Sequence, residues 1–80
     1  MKTDEASLQR LMALAQQGDA VAYRTVLVEC QRWLARYFSG RIVPAQVDDL
    51  IQDTLASLHD KRASYDPSRP FLPWLAAIAR

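Results

Sequence analysis

Along residues 5 to 17, Leu8, Leu11, Met12 and Ala15 recur at i, i+3, i+4 and i+7, the spacing that gathers apolar side chains on one face of a helix. Gly18 closes that helix, since glycine accepts the left-handed conformation of a helix C-terminus, and Asp19 is placed to cap the next one by accepting backbone N–H groups. A longer stripe of Tyr23, Val26, Leu27, Cys30, Leu34, Tyr37 and Phe38 predicts a second helix over 19–38, which Ser39-Gly40 stops. Arg24, Arg32 and Arg36 take its other faces. Pro44 suits the first turn of a third helix over 44–62, because its missing N–H would have had no partner there; Val47, Leu50, Ile51, Thr54, Leu55 and Leu58 give that helix a broad apolar face. Phe71, Trp74, Leu75 and Ile78 repeat the helical spacing and predict a fourth helix over 70–80 that reaches the last residue without a stop signal, as a piece of a longer chain would.

The expected fold class is therefore all-α, a compact bundle of about four helices forming one domain over 1–80, with a loop at 63–69. Half the 80 residues are hydrophobic and 24% are charged, which is too apolar for a disordered chain. At this length folding hides only about 60% of the unfolded surface, so the domain has one modest core. No apolar run is long enough to span a membrane, and the start MKTDEASLQR lacks the apolar region of a secretory signal, so a cytoplasmic protein without membrane insertion is expected. A lone cysteine, Cys30, cannot form an internal disulfide, and with only His59 beside it no zinc set assembles; no cofactor is expected. Cys30 lies in an apolar stripe and reads as a buried, inert thiol. His59 reads as a surface residue. No Ser/His/Asp set and no Gly-rich phosphate loop is present, which argues against an enzyme.

The formal charge of +1 hides a gradient. Residues 41 to 60 set Arg41 against Asp48, Asp49, Asp53 and Asp60, whereas residues 61 to 80 set Lys61, Arg62, Arg69 and Arg80 against Asp66. On the third helix Asp49, Gln52, Asp53, Ala56 and Asp60 fall within about 100° of one another, opposite Val47, Ile51, Thr54 and Leu58. A solvated face whose acids complement the helix dipole accounts for this stripe. So does a docking face: Gln52 lies between two carboxylates, and Ala56 leaves a shallow spot where an arginine-bearing helix could approach.

The stretch YDPSRPFLPW carries Pro67, Pro70 and Pro73, which discourage helical conformation at Asp66, Arg69 and Leu72. It predicts a stiff turn leading into a helix whose first turn tolerates proline. A plain interhelical connection, with Tyr65 packed down as a lid and an exposed Asp66–Arg69 ion pair, is one reading.

DDLIQDTLASLH, followed after a short gap by YDPSRPFLPWLAAIAR, resembles region 2 of bacterial sigma factors, in particular the extracytoplasmic-function group. The resemblance runs from about residue 8 to residue 80 and rests on the Asp-Leu-Ile-Gln-Asp core, the aromatic-containing loop and Phe-x-x-Trp-Leu-x-x-Ile-Ala, in that order. It implies that Asp49, Gln52, Asp53 and Ala56 meet the clamp helices of the β′ subunit of RNA polymerase. It also implies that the loop and the last helix recognise the promoter −10 element as it melts, taking a base of the non-template strand into a pocket bordered by the loop. Tyr65 occupies the aromatic position of the family loop, with Asp66 and Ser68 beside it, and Lys61, Arg62, Arg69 and Arg80 supply charge for phosphates. A ring that stacks a free base contributes about 1–3 kcal/mol. Trp74 follows core spacing and is expected in the core. Members of the group are commonly held inactive by anti-sigma factors, so a helical interaction module bound by such an inhibitor, with no DNA binding of its own, is the alternative. Full-length members continue the last helix, often with Asn, and add a second helical domain for the −35 element; without these the 80 residues are not expected to direct specific transcription efficiently.

Overall fold

Four amphipathic segments of this length can hide their apolar stripes only against one another. The computed structural model describes residues 4–80, so residues 1–3 of the expected domain lie outside the described residues. Helix α1 spans Glu5–Gln16, α2 Ala20–Phe38, α3 Pro44–Lys61 and α4 Phe71–Ala79; a 3-10 turn, Arg62–Ser64, follows α3. Each helix packs on the next, and α4 returns to α1 to close the bundle. No strand occurs among the described residues, and the fold is all-α.

The helix ends follow local chemistry. Gly18, at φ 101°, lets its own N–H reach the Ala15 carbonyl and the Asp19 N–H reach the Leu14 carbonyl, so α1 stops at Gln16. Asp19 caps α2 by accepting from the Ala22 N–H at 3.0 Å. Pro44 takes the first position of α3. That helix ends one residue before the sequence reading, because residues 62–64 tighten into the 3-10 turn and Ser64 Oγ donates to the Lys61 carbonyl at 2.7 Å. Pro70 stands outside α4, as its N-cap with ψ 140°, and the helix starts at Phe71.

The core joins Leu8 and Met12 of α1, Val26, Cys30, Leu34 and Phe38 of α2, Ile51 and Leu58 of α3, Phe71 and Leu75 of α4, and Tyr65 from the loop. Tyr23, Leu27, Tyr37 and Trp74 pack at its margin and are half-buried, a narrower burial than the apolar stripe of α2 implied. Glu29, which periodicity did not single out, is buried and pairs with Arg32 at 3.3 Å. His59 is exposed, and its Nδ1 shares a 2.8 Å hydrogen bond with the Tyr23 hydroxyl. Among the described residues no helix is long and apolar enough to cross a membrane.

Candidate nucleic-acid interface

Beyond the 3-10 turn, residues 65–70 have no helix to satisfy their backbone, so their carbonyls turn to other donors or to solvent. Asp66 to Arg69 form a β-turn in which the Arg69 N–H reaches the Asp66 carbonyl at 3.0 Å, with Pro67 in the position that suits its fixed φ. Asp66 Oδ1 accepts from both the N–H and the hydroxyl of Ser68, at 2.9 and 2.7 Å. These bonds hold the Asp66 carboxyl below the usual carboxylate range. Arg69 also pairs with Asp66 at 3.7 Å, but with both side chains largely exposed the pair stabilises the turn little.

Three further carbonyls are reached from α1. Gln16 Nε2 donates to the carbonyls of Arg62 and Tyr65, at 3.0 and 2.7 Å, and Gln9 Nε2 donates to that of Pro67 at 2.8 Å. Glu5 accepts the N–H groups of Phe71 and Leu72, at 2.6 and 2.8 Å, one on each carboxylate oxygen. Helix α4 has no side-chain cap of its own, and Pro73 has no N–H, so Glu5 satisfies both free donors of its first three positions. Sequence reasoning missed Glu5, Gln9 and Gln16. Their signal was a polar stripe within about 40° on α1, running beside Leu8 and Met12.

In this structure Tyr65 lies packed down, as the plain interhelical reading has it, and does not turn its ring to solvent. The residue is 3% exposed, its ring lies 5.3 Å from Phe71 and 5.2 Å from Trp74, and its hydroxyl donates to the Arg69 carbonyl. Burial raises the Tyr65 hydroxyl above its ordinary value, with the charges of Glu5 and Asp66 acting in the same direction. The ring braces the loop from below. Trp74, expected in the core, packs against it yet remains half-buried and lines an open cavity.

That cavity, about 570 Å³, is bounded by Ser64, Tyr65, Asp66, Arg69, Pro70, Pro73 and Trp74, and falls within the ~300–1,000 Å³ of small-ligand sites. Its lining includes the polar residues Ser64, Asp66 and Arg69 and the aromatic residues Tyr65 and Trp74, of which Trp74 is the more exposed. Of the residues expected at DNA, the loop thus brings Tyr65, Asp66 and Arg69 together, while Ser68 fixes the turn. Arg62 lines a separate cavity of about 580 Å³ with Gln16, Asp19 and Tyr23, and its guanidinium donates to the His59 carbonyl. Lys61 and Arg80 are exposed and border neither cavity.

On α3, Asp49, Gln52, Asp53, Ala56 and Asp60 are all exposed, while Ile51, Thr54 and Leu58 are buried. Among the described residues neither Asp49 nor Asp53 has an ion-pair partner. The face is negative and open to solvent.

Residues 22–80 match the family model described as sigma-70 region 2. The chain belongs to the sigma-70 region 2 family. It is 38% identical over 82 residues to a protein of Caulobacter vibrioides described as the ECF RNA polymerase sigma factor SigF; the match takes in all of this chain and 46% of that relative, so the chain spans less than half the relative's length. A similar solved structure is an NMR structure of the complex formed by an engineered region 2 of sigmaE with GTAAAA, with a TM-score of 0.79 and 27% identity over 98% of this chain and 82% of that one. Within this sigma-70 region 2 domain the family match begins in α2, so α1 and its three loop-binding side chains precede the matched residues.

Proposed function

We propose that this sigma region 2 domain acts in transcription initiation without catalysis of its own, by docking on RNA polymerase and reading single-stranded promoter DNA. The exposed carboxylates Asp49 and Asp53, with Gln52 between them and Ala56 a turn on, face the basic β′ clamp helices. The loop of residues 64–70 and the start of α4 receive a base of the −10 non-template strand. A base in the cavity meets the Trp74 ring and the hydrogen-bonding groups of Ser64, Asp66 and Arg69, while Lys61 and Arg80 favour the backbone phosphates nearby.

The observation that carries this reading is the cavity itself, whose loop wall is held by hydrogen bonds within the turn and from α1 before any ligand arrives. A wall already ordered loses little entropy on binding. The likeness to the sigmaE region 2 solved with GTAAAA supports the choice of ligand.

Fluorescence anisotropy of the domain with labelled single-stranded GTAAAA and its single-base permutations tests the reading. Affinities should spread about tenfold or more across the panel, a difference of about 1.4 kcal/mol, and should weaken with salt for every member. Equal affinities across the panel would refute base recognition.

A further inference from the structure

Helix α1 carries none of the residues placed at the polymerase or at the base, yet it holds the loop between them. Glu5, Gln9 and Gln16 together make five hydrogen bonds to the backbone of Arg62, Tyr65, Pro67, Phe71 and Leu72, across 46 to 67 residues of chain. They touch backbone alone there, so what they fix is the path of the loop and the entry of α4, whatever side chains the loop displays. We infer that the Glu5–Gln9–Gln16 stripe of α1 is a strap of positioning residues that presets the base cavity and thereby sets the domain's sequence discrimination. The inference rests on the proposed reading of the loop as the DNA-binding element.

Two features make the strap more than a general brace. Its bonds converge on both rims of the cavity: the Tyr65 carbonyl on one side, and on the other the first turn of α4, which carries Pro73 and Trp74. Glu5 is also the only source of acceptors for the Phe71 and Leu72 N–H groups that the described residues provide, because Pro70 at the N-cap has no acceptor side chain. Without Glu5 the first turn of α4 frays, Trp74 leaves its place, and a smaller fraction of molecules presents a formed cavity. Apparent affinity falls with that fraction.

The sign of the effect distinguishes this role from simple electrostatics. Glu5 is an anion near a site for a polyanion, so if its charge alone mattered, Glu5→Gln would tighten binding to every oligonucleotide. Acting as a strap, it does the reverse for the preferred sequence. The amide of Gln has one acceptor where the carboxylate has two, and its N–H₂ opposes the second backbone donor.

Glu5→Gln and the double variant Gln9→Ala/Gln16→Ala are compared with the wild-type domain by anisotropy against the best and worst members of the permuted GTAAAA panel. The assay is run well below each variant's measured melting temperature. Hydrogen exchange at the Phe71 and Leu72 amides is followed in parallel. The strap predicts about fivefold weaker binding of the best sequence by each variant, no comparable loss for the worst, an unchanged salt slope, and faster exchange at both amides in Glu5→Gln. Equal loss on both sequences, tighter binding by Glu5→Gln, or discrimination equal to that of a discriminating wild type would each overturn the strap while leaving the loop's DNA role in place. A wild-type domain that discriminates among no sequences would instead overturn the DNA reading and this role with it; the amide exchange would then report only whether Glu5 caps α4.

Discussion

The Tyr65 hydroxyl donates to the carbonyl of Arg69, four residues on, and closes the loop over its own aromatic ring. One side chain thus anchors the turn to the core and supplies a backbone bond that no helix provides. Tyr65→Phe keeps the ring and removes the donor, leaving the Arg69 carbonyl to solvent, and should cost about 1 kcal/mol. Tyr65→Ala removes a ring in contact with Phe71 and Trp74 and should cost about 3–5 kcal/mol, enough to unfold much of so small a domain. Urea denaturation of the two variants measures both; equal small losses would show that the ring is not part of the core.

The exposed face of α3 should be separable from the fold. Asp49→Ala combined with Gln52→Ala removes no buried contact, so stability should stay within about 0.5 kcal/mol of wild type. Binding to a β′ clamp-helix fragment should weaken in the same protein. A calorimetric titration showing unchanged affinity would sink the assignment of this face.

Cys30 should be inert while the domain is folded. Burial, with the neighbouring Glu29 carboxylate second, pushes its thiol up to about 12. At pH 8 only about one molecule in ten thousand is then a thiolate, so labelling by a thiol reagent should wait on unfolding and become rapid in urea. Because the unfolded chain ionises this group near its ordinary value of 9.0, the stability linked to it is complete below that pH and declines as pH rises toward about 12. Labelling of the native domain at the rate of a free peptide would contradict the packing of α2.

Asp66 gives the loop an acid limit. Its carboxyl is held low first by the Ser68 hydroxyl and N–H, and to a lesser degree by Arg69. A depressed carboxyl stabilises the folded turn above its unfolded value and loses that effect as pH falls through the folded one. The 66–69 turn should therefore be constant over roughly pH 5 to 8 and loosen below about pH 4. The Ser68 amide resonance reports it, and Asp66→Asn should abolish the acid transition; an identical transition in that variant would place its origin elsewhere.

What the sequence disclosed and what it withheld divide along a physical line. Four helices, the Gly18-Asp19 junction and the open acidic face of α3 follow from periodicity and capping, which act within a few residues. The prolines at 67, 70 and 73 likewise announced a stiff loop. The two readings of Tyr65, as a lid and as a stacking ring, stayed open because nothing local says whether a loop aromatic faces solvent or folds under; that depends on Phe71 and Trp74 meeting it from α4. Glu5, Gln9 and Gln16 escaped notice because polar residues on a helix look solvated until the partner backbone, more than 45 residues away, is in place. Glu29 is the same case in reverse, a charge whose burial only the packed helices reveal.

The central claim is that a preset cavity between the loop and α4 receives a single-stranded base. Chemical-shift mapping of the ¹⁵N-labelled domain with the best-binding oligonucleotide of the permuted panel tests it most directly. The account predicts that the Trp74 indole N–H and the amides of Ser64, Asp66 and Arg69 shift most, and that the exposed face of α3 does not respond. Saturating binding that leaves these four signals in place while others move would contradict it.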